Sequence, residues 1–323
     1  QVNGFVVRDD CEEPSHPLSE GTIHDYLVEN GIPGISGVDT RAITRKLRSA
    51  GVMMGIITPD DDVEAALATL SKAPRYGEFD VVGNVSTDDI YEWTGDAGEK
   101  SRAFFDLRGR ARQGGMGIDV ERGIGQRDLG DNYMTVVVND YGVKLNILRS
   151  LRARGCEVIV VPDDASVEDI LGHKPDGVML SPGPGDPELL DRSVATAKGL
   201  AGKVPMMGIC LGHQVIARAF GASTFKLHFG HRGGNQPVKD LESGRVYVTA
   251  QNHGYAVDAD GLPDSLEISH LNLNDQTIEG LRHKEMPIMT IQYHSEASPG
   301  PHDSEYLFDR FIGLIRTGMG AKV

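Results

Sequence analysis

In the second half of the chain, short apolar runs alternate with segments whose apolar residues recur at helical spacing. Residues 134–138, 158–161, 176–180 and 205–209 read as strands that are apolar on both faces. Residues 142–152 carry Leu145, Leu148 and Leu151 on one helical face, and 167–171, 189–200 and 211–220 supply further helices. Near-continuous apolar strands joined through helices predict a parallel sheet covered on both sides. Beyond Phe220 the runs become shorter and strand-like, at 223–226, 245–251, 266–271, 277–282 and 287–293, and residues 308–315 form a closing amphipathic helix.

The first half reads differently. Residues 1–94 predict a separate α/β region, with a short strand at 6–8, a helix at 22–30 stopped by Gly31 and Pro33, and a helix at 40–50 capped by Asp39. A strand at 52–58 and a helix at 63–72 follow, and the single Trp93 lies near the end of the region. The cationic positions Arg41, Arg45, Lys46 and Arg48 read as one solvated helix face. Residues 95–131 are rich in Gly and Arg and lack sustained periodicity, which predicts a linker. The second domain then spans 132–323.

Composition narrows the class. A formal charge of −15 argues against general nucleic-acid binding, which needs a basic surface to neutralise phosphates. No run is long and apolar enough for a membrane-spanning helix, and the first residues do not read as a signal peptide. Three widely spaced cysteines make no disulfide framework, so a reducing, cytoplasmic setting is expected. No CxxC or HExxH spacing proposes a metal site.

The candidate chemistry centres on Gly208-Ile209-Cys210-Leu211-Gly212. A nucleophile between two glycines, where a strand meets a helix, is the elbow arrangement. The turn lifts the sulfur out of the sheet, and the first helix amides can lower a thiol pKa and hold a developing oxyanion. Two other loops fall at carboxyl ends of strands, where open parallel sheets bind ligands. One is Ser181-Pro182-Gly183-Pro184-Gly185-Asp186-Pro187, stiffened by prolines and opened by glycines. The other is Gln292-Tyr293-His294-Ser295-Glu296, where the i, i+2 spacing lets His294 and Glu296 act as one unit. A thiol needs a base, and an imidazole held by a carboxylate supplies one.

In this order, the segments 181–187, 208–214 and 294–296 resemble the signature of class I (triad) glutamine amidotransferase domains. The stretches 229–238, 249–258 and 296–303 resemble the small subunit of carbamoyl-phosphate synthetase more narrowly. So does Gly37-Val38-Asp39-Thr40-Arg41 with its following helix, which resembles that subunit's own N-terminal domain. The resemblance implies an α/β fold: an incomplete N-terminal small-subunit domain, then an amidotransferase domain with a mostly parallel central sheet. It implies Cys210 as nucleophile, His294 as base and then acid, and Glu296 as its orienter. The amides of Gly183 and Leu211 match the oxyanion hole, and Gly183, Gly185, Leu211, Gln214, Asn252, Gly254 and Tyr255 match positions that hold glutamine. It further implies a large-subunit partner that carries ATP and magnesium, with no cofactor in this chain, and a role in arginine and pyrimidine supply.

Three features depart from the family pattern. Ser295 stands where proline is usual, the linker is long, and the family's first stretch, with a serine that touches glutamine, is absent. A neighbouring amidotransferase serving GMP or anthranilate synthesis would keep the triad without the front domain. A catalytically idle assembly subunit would keep the fold alone.

Overall fold

In the computed structural model of the chain, residues 2–94 and 133–320 are described, apart from 18, 76 and 78. They fall into two compact units, one holding the described residues up to 77 and the other holding 79–94 and 133–320.

The first unit pairs two short parallel strands, β1 (Phe5–Val6) and β2 (Gly34–Ile35). Its helices begin where the sequence places capping side chains. α1 (Ile23–Glu29) starts at Thr22, whose hydroxyl accepts from the amide of Asp25 while Asp25 reaches back to the cap. Asp39 caps α2 (Thr40–Ala50), and Asp62 caps α3 (Val63–Leu70). The strand expected over 52–58 is not formed; its apolar residues Val52, Met53, Met54 and Ile56 lie exposed and pair with no strand among the described residues. Ile43 and Leu47 of α2 are exposed as well.

The second unit is organised on a ten-stranded sheet. Its first edge strand is β3 (Tyr91–Glu92), followed in chain order by β4 (Met134–Asp140), β5 (Cys156–Pro162), β6 (Gly177–Leu180) and β7 (Met206–Ile209). β8 (Thr224–Asp240), β9 (Val246–Val257), β10 (Leu266–Asn272), β11 (Ile278–His283) and β12 (Ile288–Ile291) complete it. The spatial order is β3-β5-β4-β6-β7-β12-β11-β10-β8-β9. From β5 to β12 the pairings are parallel, and the strands beyond β12 are antiparallel.

Alternation along the strands builds two cores. Val136 and Val138 face one side with Ile147, Leu148 and Leu151 of α4 (Leu145–Arg152) and Phe308 and Phe311 of the last helix, α8 (Tyr306–Gly320). Val137 faces the other side, where Ile170 of α5 (Val167–Gly172), Leu200 of α6 (Asp191–Leu200), and Val215 and Ile216 of α7 (Leu211–Ala219) pack. Full burial of such a side chain is worth about 1.5–3 kcal/mol, so these layers fix the sheet on which the site sits.

Two sequence boundaries differ from the structure. α4 begins at Leu145, not at 142, because the Asp140 carboxylate takes the amides of Gly142 and Val143 at 2.9 and 2.7 Å and Gly142 has φ +126. The first domain, expected to run to 94, gives up residues 79–94 to the second unit. Val82 is buried in the Val137 core, Tyr91 and Glu92 pair with β5, and the Thr87 amide donates to Asp140 at 3.0 Å. Trp93 packs on the Val136 core. The expected linker at 95–131 lies outside the described residues.

Candidate active site

β7 delivers the chain to Cys210, whose φ of 53 and ψ of −103 place it in a region rarely occupied by a residue with a side chain. The turn is held by the Cys210 amide, which donates to the Ile291 carbonyl of neighbouring β12 at 2.8 Å. Both flanking glycines are sterically required. A Cβ on Gly208 would meet the Gly212 carbonyl oxygen at 2.5 Å, and one on Gly212 would meet that of Leu180 at 2.2 Å. With α7 starting at Leu211, the thiol stands at a helix N-terminus on the carboxyl end of the sheet.

The chain returns to this point after β12. His294 is tied to the sheet by its amide, which donates to the Ala250 carbonyl at 2.9 Å. Its Nδ1 lies 2.7 Å from Glu296 Oε1, and Cys210 is near enough to help raise the pKa of the ring. Glu296 is wholly buried and Cys210 and His294 nearly so. Burial by itself drives the imidazole pKa down. The charge of Glu296 and the hydrogen bonds to Cys210 and Glu296 overcome it and lift the His294 pKa to about 10. Glu296 moves the other way: desolvation raises its pKa, but His294 and then Lys144 outweigh that and hold it below the ordinary carboxylate value. The arrangement therefore favours a charged imidazolium–carboxylate pair beside the sulfur.

The Pro-Gly loop closes on the same elbow. Gly183 leaves so little room that a Cβ would fall 2.2 Å from the Tyr141 carbonyl oxygen and 2.8 Å from Leu211 Cδ2. The two residues expected to donate to an oxyanion are thus neighbours. The Gly212 amide donates to the Ser181 carbonyl at 3.1 Å, and the Ser181 hydroxyl accepts from the Tyr141 amide at 2.8 Å, which pins the loop to both β4 and α7. Gly185 has φ +97 and packs toward Val81. Asn252, Gly254 and Tyr255 lie in sequence on β9. Gln214, on the first turns of α7, ties that strand to the elbow: its Nε2 donates to the Tyr255 carbonyl at 2.8 Å and to Gln292 Oε1 at 2.9 Å.

Two side chains at the site were not singled out in the sequence. Lys144 sits 3.1 Å from Glu296 Oε1 and also donates to the Ala297 carbonyl, and Asn146 donates to the Glu296 carbonyl. Their available signal was position: both follow β4 at the carboxyl edge of the sheet, where ligand loops gather. By residue type alone they look like ordinary polar residues of a helix start.

Residues 136–314 match the family Glutamine amidotransferase class-I, and residues 1–57 match the carbamoyl-phosphate synthase small chain, CPSase domain. The carbamoyl phosphate synthase small chain of Nostoc sp. is 46% identical over 323 residues, covering 98% of this chain and 77% of the relative. That of Rhodopirellula baltica is 47% identical over 309 residues, covering 95% of this chain and 76% of the relative. A crystal structure from Thermoplasma acidophilum, of a candidate GMP synthase component, superposes with a TM-score of 0.52 at 24% identity, over 59% of this chain and 98% of that one, a likeness of fold. No described helix is long and apolar enough to cross a membrane. With an amidotransferase domain carrying the Cys210 elbow, a front domain of the small-chain type and relatives nearly half identical over almost its whole length, the chain belongs to the carbamoyl phosphate synthase small chain family.

Proposed function

We propose that this chain is the glutaminase subunit of a glutamine-hydrolysing carbamoyl-phosphate synthase, acting in the cytoplasm. The observation that carries the reading is the connected set Cys210–His294–Glu296 on a strained strand-to-helix turn. Glutamine enters with its amino-acid end held by Gly185, Asn252, Gly254 and Tyr255, and with Gln214 bracing Tyr255 through its carbonyl. With the proton of the thiol already held on His294 as imidazolium, Cys210 Sγ attacks the side-chain amide carbon. The oxyanion that forms is held by the backbone amides of Gly183 and Leu211, a type of donor whose loss costs about a hundred- to a thousandfold in rate. His294 then gives the proton to the departing nitrogen, ammonia leaves, and a glutamyl thioester remains on Cys210. Water, deprotonated by His294, attacks that thioester and releases glutamate with the thiol restored. Glu296 keeps the imidazole oriented through both halves, and Lys144 braces Glu296 from the opposite side.

Free ammonia is mostly protonated at neutral pH and then is no nucleophile, which favours its direct passage to a larger synthetase subunit. We assign the ATP- and magnesium-dependent steps to that partner; the sequence of this chain carries no P-loop pattern. Glutamate release measured with and without the large subunit tests the coupling: a low rate alone and a large rise with the partner is expected, and full turnover alone would contradict it. Cys210→Ala is expected to remove glutamine-dependent carbamoyl phosphate formation and leave ammonia-dependent formation intact. Loss of both would give that position a structural role.

A further inference from the structure

Away from the triad, the second unit buries a polar cluster. His231 on β8 and His253 on β9 are register partners across the hairpin, and their rings meet edge to face at 4.9 Å. His231 Nε2 lies 2.7 Å from Asp275 in the turn before β11, and Nδ1 lies 3.5 Å from Glu279 on β11 itself. Glu279 is fully buried, and its Oε1 accepts from Asn272 of β10 at 2.9 Å. His253 Nδ1 donates to the Tyr255 carbonyl at 2.8 Å, the same oxygen that accepts from Gln214 Nε2. The Glu279 backbone carbonyl accepts from the Gln292 amide at 2.9 Å, and Gln292 Oε1 accepts from Gln214.

We propose that His231, bridging Asp275 and Glu279 beneath His253, is a positioning residue that sets the glutamine-holding segment of β9. This rests on the assignment of Asn252, Gly254 and Tyr255 to glutamine binding. The reasoning is mechanical. His253 lies between Asn252 and Gly254, so the face on which it packs decides where those two neighbours stand. Its ring is backed by His231, and its Nδ1 bond fixes the carbonyl of Tyr255. β8 and β9 pair in register only briefly there, 231–233 with 251–253, and register shifts flank that stretch between Lys226 and His231 and between Gly233 and Gln236, so the ladder holding the segment is short. The ionic bridge from His231 to the β10–β11 turn compensates.

The charges support the bridge. Burial opposes a proton on His231, yet the adjacent carboxylates of Glu279 and Asp275 raise its pKa above the ordinary value, while burial raises that of Glu279. Burial holds His253 neutral, with a pKa pushed down to about 3, while its Nδ1 lies 2.8 Å from the Tyr255 carbonyl and its Nε2 2.9 Å from the Gln251 side-chain amide. Removing one member of such a buried charged set leaves the others unpaired.

The test is steady-state glutamine hydrolysis by the complex with the large subunit, comparing wild type with His231→Gln, Asp275→Asn and Glu279→Gln. The expected result is a rise of about tenfold or more in KM for glutamine for His231→Gln and Glu279→Gln, with kcat changed far less. The alkylation rate of Cys210, read by peptide mapping, should stay at the wild-type value, because the triad is untouched. Asp275→Asn, which keeps a hydrogen-bond acceptor, should retain most of the wild-type KM. Unchanged KM in an active complex overturns the inference, as does an equal fall in kcat and Cys210 alkylation, which would mean general loss of structure. A stoichiometric divalent metal retained by purified wild type and lost in Glu279→Gln would also overturn it, by giving the cluster a different purpose. Should wild type itself fail to hydrolyse glutamine while Cys210 alkylates normally, the glutaminase reading fails and takes this inference with it, whereas active wild type with unchanged KM in the variants overturns this inference alone.

Discussion

Gly183→Ala is the sharpest perturbation the site offers. The added methyl would sit 2.2 Å from the Tyr141 carbonyl oxygen and 2.8 Å from Leu211 Cδ2 and Tyr141 Cβ. Comfortable carbon contacts begin near about 3.5 Å, so the loop must retreat by roughly 1 Å. Neither neighbour can yield cheaply: the Tyr141 oxygen is backbone, Tyr141 is wholly buried, and Leu211 is the first residue of α7. The retreat removes the Gly183 amide from the oxyanion it is assigned to hold. A displacement of that size costs about a hundredfold, and the loss of an oxyanion donor costs about a hundred- to a thousandfold, or roughly 3–4 kcal/mol in the barrier. Since the oxyanion exists only after attack, kcat should fall while KM for glutamine changes little. Glutamate release at saturating glutamine measures this, with ammonia-dependent carbamoyl phosphate formation as the internal control. A kcat within about threefold of wild type, in a protein of unchanged thermal stability, would refute the oxyanion assignment.

Other outcomes follow from the same geometry. The raised pKa of His294 contributes stability that is complete below pH 6.5 and lost as pH rises through about 10, and the lowered pKa of Glu296 contributes stability present above pH 4.5 and lost on acidification. Urea unfolding should therefore show Glu296→Gln most destabilised relative to wild type between pH 4.5 and 6.5, by about 3–5 kcal/mol, with the gap closing toward pH 10. A gap that does not change with pH would contradict the ion pair. Ser295 is fully buried and its hydroxyl has no hydrogen-bond partner among the described residues, so Ser295→Ala should stabilise the protein by about 1 kcal/mol and retain glutaminase activity. Destabilisation in thermal melts would show that the hydroxyl matters where proline is usual in the family.

Much of this architecture was readable before any coordinates. The parallel strands leading to Asp140, Leu180 and Ile209 declare themselves because both their faces are apolar, and the cap Asp39 marks a helix start through a short-range hydrogen bond. The elbow was legible because two glycines around a cysteine are a steric demand written locally. What the sequence hid depends on tertiary partners. Residues 52–58 look like a strand by composition, but a strand also needs a neighbour. The segment 79–94 looks like the tail of the first domain until Val82 and Trp93 find their cores in the second. Lys144 and Asn146 stand some 150 residues from Glu296 in the chain and meet it only because β4 and β12 end at the same edge of the sheet. The cluster of His231, Asp275 and Glu279 is likewise assembled from strands whose pairing no local pattern announces.

Glutamine hydrolysis by this mechanism requires Cys210 to carry the glutamyl group. Acid quenching of the complex with the large subunit during turnover, followed by mass spectrometry of the Cys210 peptide, tests it most directly. A glutamyl adduct on Cys210 is expected to appear with glutamine, to decay when glutamine is exhausted, and to be absent from Cys210→Ala along with glutamate release. Sustained glutamate release with Cys210 never modified, or undiminished release by Cys210→Ala, would contradict it.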